Sequence, residues 1–219
     1  MYNVGLRHQI IGLCGGMGVG KDTVAQMLCK ILKEFNPSCN QMIGTDAFAN
    51  PLKEILINYF GFTHDDLYTQ EGKMSYNDFW GMTNREAAQR FGTEAMRNGF
   101  HPDTWTKLME LRIRKKCLLP DSPPGSYSYR IITITDLRFE NEAQLVKKLG
   151  GIIVKIKRPC ANNPIENVGI QNHASEQGLP DKLCDIILHN NSTLEDLEQK
   201  VKTICEYICC KKKELNNEL

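Results

Sequence analysis

The chain reads as an α/β protein: a mostly parallel central sheet covered by helices on both faces, with a helical insertion. Three observations predict this class. Short apolar, β-branched runs alternate with stretches of helical periodicity along most of the 219 residues. The first such pair is separated by the glycine-rich stretch GGMGVGKDT, residues 15–23. Between residues of about 50 and 118 the pattern is helical and strand-poor. Alternating strands and helices give parallel sheets with right-handed crossovers, and such sheets collect their ligands at the carboxyl edge.

The elements follow in order. HQIIGLC, residues 8–14, is a β-rich run that stops at glycines, and residues 21–35 place Val24, Leu28, Ile31 and Leu32 on one helical face. QMIGT, residues 41–45, is a short second strand. After Pro51 a helix sets Leu52, Ile55, Leu56 and Tyr59 on one face and stops at Gly61. Residues 62–82 mix aromatic and acidic residues and predict no element. A capping box, TNRE from Thr83, opens a helix through about Arg97, and another helix runs over about 103–117. LLPDSPPGSYSYR is a proline-rich surface loop. IITIT, residues 131–135, is a buried strand, followed by a helix over 138–149, a Gly150–Gly151 stop and the strand IIVKIK at 152–157. A long polar, lid-like loop of about 158–180 has a length that signals function or disorder. DIIL, residues 185–188, is the last strand. Leu194, Leu197, Val201, Ile204 and Ile208 line the C-terminal helix, and residues 211–219 form a polar tail. The organisation is one domain with an insertion.

Composition narrows the function classes. A hydrophobic content of 41% supports a sizeable core, and a formal net charge of +1 gives no bias toward nucleic acid or an acidic membrane. Nine cysteines are scattered with no C-x-x-C pair, which reads as reduced core and surface thiols. No run approaches the ~18 apolar residues of a membrane span. The first apolar run, IIGLC, is too short for a secretory leader. A cytoplasmic protein with no membrane partner and no nucleic-acid partner is the expectation.

Chemistry concentrates in three places. Gly15, Gly20 and Lys21 have the spacing of a phosphate-binding loop, G-x-x-x-x-G-K, set between a strand and a helix as that motif requires. Backbone N–H groups and the helix N-terminus would cradle a β-phosphate, with Lys21 reaching the β- and γ-phosphates of a nucleoside triphosphate. Asp22 takes the place of the usual Ser or Thr, and Thr23 follows one position late. A carboxylate beside polyphosphate calls for an intervening cation, so Asp22 points to Mg²⁺; the other reading is a first-turn acid favoured by the helix dipole. Thr23 offers a hydroxyl to the α-phosphate.

The strand IITIT runs into Asp136, Leu137 and Arg138, with Glu142 four residues beyond Arg138. Asp136 then sits at the carboxyl edge. Arg138 and Glu142 share a helical face, either as an i,i+4 ion pair or as a substrate site in which the arginine fork takes a phosphate. Further back, RFGTEAMR puts Arg90 and Arg97 on one helical face with Trp105 nearby. These would clamp a nucleotide phosphate and stack its base, or serve as surface and core.

Taken in order, GKDT, FANPLKE, REAAQRFGTE with R and W following, ITDLRFENEA, HASEQGLP and NNSTLEDL resemble the deoxynucleoside monophosphate kinases of tailed phages and their relatives, from Ile10 to about Val201. The GKDT form of the loop is typical of that family, and GTE and DxRxxxE are its more specific elements. The resemblance implies a three-layer P-loop kinase fold, with ATP phosphates and Mg²⁺ handled by Gly15, Gly18, Gly20, Lys21, Asp22 and Thr23. It implies an acceptor site bordered by Arg90, Gly92, Thr93, Trp105, Asp136, Arg138 and Glu142, with Lys53 at its entrance. Met17 departs from the family, whose members often carry a basic residue there; Arg158, as a lid residue, or Arg97 is the substitute. His173 falls in the lid segment and is read as solvated. A homodimer is the state the family suggests, in the host cytoplasm if the chain is viral.

The expected activity is ATP-dependent, Mg²⁺-assisted phosphorylation of a deoxynucleoside monophosphate, with Lys21, Asp22 and Arg138 as its central residues. Positioning and charge neutralisation supply most of such a reaction. The alternatives are another small-molecule kinase on the same scaffold, such as phosphomevalonate kinase or dephospho-coenzyme A kinase, and a nucleotide-binding protein without activity. The GTE segment together with Trp105 favours a nucleotide over the first pair, and intact Lys21, Asp22 and Arg138 argue against the last.

Overall fold

The computed structural model describes residues 8–35, 42–117, 130–159 and 179–217. The loop at 118–129 and most of the lid-like segment, with His173, lie outside them. Where the sequence predicts one domain with an insertion at about 50–118, the chain divides into two compact units, the second comprising Ala47–Lys116 among the described residues.

The first unit is built on five parallel strands: β1 (His8–Cys14), β2 (Met42–Asp46), β5 (Arg130–Leu137), β6 (Ile152–Lys157) and β7 (Ile186–His189), in the order β2-β5-β1-β6-β7. On one face, Ile11 and Leu13 of β1 and Val154 and Ile156 of β6 meet two helices, α1 (Lys21–Phe35) and α8 (Leu194–Asn217). Val24, Leu28, Ile31 and Leu32 of α1 and Leu197, Val201, Ile204 and Ile208 of α8 are all buried there. Each such side chain contributes about 1.5–3 kcal/mol of apolar burial. On the other face α7 (Glu140–Lys148) comes so close that a Cβ on Gly12 would lie 3.5 Å from Val146. The turn from α7 into β6 needs its glycines: Gly150 has φ 72°, and a Cβ on Gly151 would sit 2.8 Å from the Ile10 carbonyl oxygen.

Two expectations change in α8. Leu194 is 63% exposed, because it opens the helix and precedes the buried stripe. The polar tail is helical in its backbone as far as Asn217. Among the described residues, no helix is long and apolar enough to cross a membrane.

The second unit opens with α2 (Asn50–Phe60), which buries Leu52 and Leu56 but leaves Tyr59, at the last turn of the expected face, 81% exposed. Residues 62–83 form two short helices, α3 (His64–Tyr68) and α4 (Gln70–Met74), and a hairpin of β3 (Tyr76–Asn77) with β4 (Met82–Thr83). They are organised by polar bonds. Asn84, 2% exposed, donates to Asp66 at 2.9 Å and to the Gly72 carbonyl at 2.8 Å, and accepts from Asn77 at 3.2 Å. Thr83 caps α5 (Asn84–Gln89) by accepting the Glu86 N–H. The chain then widens into a π-helix, Arg90–Phe100, before α6 (Thr104–Cys117).

Candidate active site

The glycine loop joins β1 to α1 at the carboxyl edge of the sheet. Gly15 has φ +143°, and a Cβ there would lie 2.5 Å from the Ile156 carbonyl oxygen, so conformation and space both require glycine. Gly20, at φ +98°, starts α1 by accepting the Val24 N–H. The Lys21 ammonium folds back to donate to the carbonyls of Gly15 at 2.9 Å and Gly16 at 2.7 Å. The loop therefore closes around its own lysine at a helix N-terminus, where backbone N–H groups and the dipole favour an anion.

Lys21 also reports its surroundings. Its pKa is held below the usual lysine value, first by burial and then by the nearby Arg138 charge; Asp22 and Asp136 pull the other way. Two cations and two acids of this one unit thus share an electrostatic neighbourhood. Asp22 is exposed in the first turn of α1, a position compatible with both readings of it, and Thr23 beside it is half-buried. Met17 is 52% exposed and brings no charge to the loop.

Asp136 belongs to an irregularity in β5. Gly12 of β1 pairs with Ile134 and Cys14 with Leu137, so β5 carries one extra residue over this step. Such a bulge re-aims side chains next to functional sites. Beyond it, the expected helical pair of Arg138 and Glu142 is corrected. Because α7 starts at Glu140, Arg138 precedes the helix and shares no helical face with Glu142. Glu142, 2% exposed, accepts the backbone N–H groups of Arg138 at 2.9 Å and Phe139 at 3.1 Å. It shapes the turn that presents Arg138, whose side chain is exposed. Arg158, exposed just beyond β6, belongs to this unit as well.

Two residues of this unit escaped the sequence reading. Asp46 ends β2 in register with Ile134 and is only 3% exposed. An acid closing the run MIGTD at a carboxyl edge was the available signal. Asn190, directly after β7, donates its amide to the Val19 carbonyl at 2.9 Å. Nothing in its local sequence pointed to the loop.

The remaining candidates lie in the second unit. Lys53 sits with its ammonium 3.8 Å from the centre of the Tyr68 ring. Arg90 is exposed and paired to Glu86 at 2.7 Å. Because the segment from Arg90 is a π-helix, seven residues no longer make two turns, and Arg97 does not share a face with Arg90 as expected. Thr93 and Arg97 are half-buried. Trp105 is corrected in one respect: it is 3% exposed and its indole N–H donates to the Gly92 carbonyl at 2.8 Å, so it offers no ring face for a base. It instead secures the π-helix, against whose Gly92 Leu52 packs so closely that a Cβ would lie 2.4 Å from it.

Among the described residues no cluster of three or more His, Cys, Asp or Glu is placed to hold a metal. The acids near Lys21 suit instead a hard cation that takes most of its ligands from phosphates and water, as Mg²⁺ does.

The family model for deoxynucleotide monophosphate kinase matches residues 68–201. A protein of Acanthamoeba polyphaga mimivirus, described as a deoxynucleotide monophosphate kinase, is 33% identical over 202 residues, covering 88% of this chain and 93% of that protein. The deoxynucleotide monophosphate kinase of Enterobacteria phage T4 is 27% identical over 125 residues; the match covers 57% of this chain and 45% of the phage protein. Among solved structures, a shikimate kinase from Acinetobacter baumannii aligns over 93% of this chain and 94% of that one, with 15% identity and a TM-score of 0.43, too remote to carry any part of the assignment. With a family model over more than half of its length and a relative matched nearly end to end, the chain belongs to the deoxynucleotide monophosphate kinase family.

Proposed function

We propose that the chain transfers the γ-phosphoryl group of ATP to a deoxynucleoside monophosphate. The observation that carries this reading is the Lys21 ammonium held on the Gly15 and Gly16 carbonyls, within the fields of Arg138, Asp22 and Asp136. Lys21 and the loop N–H groups bind the β- and γ-phosphates and offset charge that builds up during transfer. Asp22, with Asp136, would hold Mg²⁺ beside those phosphates; when bound, the ion neutralises phosphate charge. Arg138, presented by the Glu142-anchored turn, takes the acceptor phosphate through its planar fork. No general base is needed, because a phosphate monoester is already anionic near neutral pH.

In the second unit, Lys53, Arg90, Gly92, Thr93 and Arg97 form the acceptor side of the reading, with Trp105 supporting the π-helix from within. The test is ADP release measured across deoxy- and ribonucleoside monophosphates and phosphomevalonate. Turnover of at least one deoxynucleoside monophosphate is expected. Turnover of phosphomevalonate and of no nucleotide overturns the reading.

A further inference from the structure

Cys14 and Cys184 are 170 positions apart in the chain, yet their sulfurs are 3.7 Å apart. Cys14 ends β1 and is fully buried; Cys184 is half-buried at the close of a 3₁₀ turn, Asp181–Leu183, that leads into β7. Strand β6 lies between β1 and β7, and Cys14 pairs with Lys155 on it. The phosphoryl transfer proposed above uses neither thiol. Their placement matters because Gly15, next to Cys14, contributes a carbonyl that holds Lys21, and Gly15 is packed against the Ile156 carbonyl with no room for even a Cβ.

We propose that Cys14 and Cys184 are a redox modification site, forming a reversible disulfide beneath the phosphate loop that weakens nucleotide binding. A disulfide needs its sulfurs at about 2.05 Å, so the pair must close by roughly 1.7 Å. Cys14 is the last paired residue of β1, beyond the register shift that follows Gly12, so the displacement divides between the 3₁₀ turn and the strand end that leads into Gly15. Cys14 is fully buried and Cys184 only half-buried, so Cys184 meets the oxidant first, and the Cys14 proton leaves with the hydroxyl expelled when its sulfur attacks. With hydrogen peroxide as oxidant, the Cys184 thiol is converted to a sulfenic acid and one water is released. The Cys14 sulfur then attacks that sulfur, expelling the hydroxyl as a second water and forming the S–S bond. Two thiols lose two electrons and two protons, and the peroxide oxygens leave as water. A dithiol reductant reverses the bond by two exchanges.

The effect on nucleotide rests on reading residues 15–21 as the phosphate loop; formation of the bond does not. The full chain would be treated with hydrogen peroxide, digested without reduction and mapped by mass spectrometry, with ATP affinity measured by calorimetry before oxidation, after it and after dithiothreitol. A joined peptide containing Cys14 and Cys184 is expected, with ATP affinity lower by about ten-fold and restored by the reductant. Cys184→Ser should keep its affinity through the same treatment. Absence of the joined peptide, unchanged affinity in the joined form, or an equal loss in Cys184→Ser overturns the proposal. If the reduced chain binds no ATP at all, the phosphate-loop reading fails, while the joined peptide still reports on the thiol pair.

Discussion

Asn190 donates its side-chain amide to the Val19 carbonyl at 2.9 Å while its own backbone N–H goes to the Lys157 carbonyl at 2.8 Å. One residue thereby fastens the glycine loop to the end of β6. Asn190→Ala is expected to raise KM for ATP about 3- to 10-fold, the equivalent of one net hydrogen bond. Asn190→Asp should do worse, because a carboxylate cannot donate to the carbonyl and repels polyphosphate. Steady-state kinetics with ATP varied would check both, and an unchanged KM would deny Asn190 any hold on the loop.

Lys21→Met should lower kcat by about 100-fold or more, in line with removal of one preorganised charge-stabilising group. The stability effect has the opposite sign. A lysine whose folded pKa lies below its unfolded value of 10.5 destabilises the fold while charged, and that cost fades as pH rises toward 10.5. The variant should therefore gain most in Tm near neutral pH, with the gain shrinking at alkaline pH. Thermal melts from pH 7 to 10 would decide it.

Glu142→Ala leaves the N–H groups of Arg138 and Phe139 without their carboxylate, at a cost of about 1–3 kcal/mol in stability. Glu142→Gln keeps an acceptor oxygen and should recover part of this. KM for the acceptor should rise more than KM for ATP in both variants. Equal rises would mean that the turn serves the fold and not Arg138.

Trp105→Phe removes the bond to the Gly92 carbonyl inside the π-helix and should destabilise by about 1–3 kcal/mol. Since the indole is buried, the rank order of accepted bases should stay as it is. A changed base preference, measured with the same monophosphate panel, would return the ring to direct contact with substrate.

Burial pushes the thiols of Cys14 and Cys205 from 9.0 up to about 12. A folded pKa above the unfolded one means stability that is complete below pH 9 and lost as pH climbs toward 12. Each thiol contributes at most about 1.4 kcal/mol per pH unit over that window. Cys205→Ala should start from a lower Tm, for want of a core side chain, yet decline less steeply between pH 9 and 10.5.

The parallel sheet and its helices were legible because apolar periodicity dictates them: Val24, Leu28, Ile31 and Leu32 are buried as their spacing requires. Residues 62–82 were opaque because Asn84, Asp66 and Thr63 organise them through polar bonds that leave no periodic trace. The π-helix was illegible for a related reason, since an i→i+5 pattern has no signature separable from an α-helix in one sequence. That hid the fate of Arg90, Arg97 and Trp105. At Arg138 and Glu142 a shift of two residues in the helix start replaced the expected shared helical face with a turn that the buried Glu142 anchors. In the phosphate loop, spacing between a strand and a helix located the glycines and Lys21, while Asn190 reaches Val19 from 171 positions away by topology.

An ammonium group has three hydrogens to give. Lys21 commits two of them, to Gly15 and Gly16. One direction is left, and a phosphate oxygen that takes it meets a side chain already arrested. The rotational freedom of a four-carbon stem, worth about 2 kcal/mol when it must be frozen at the moment of binding, was surrendered when the chain folded.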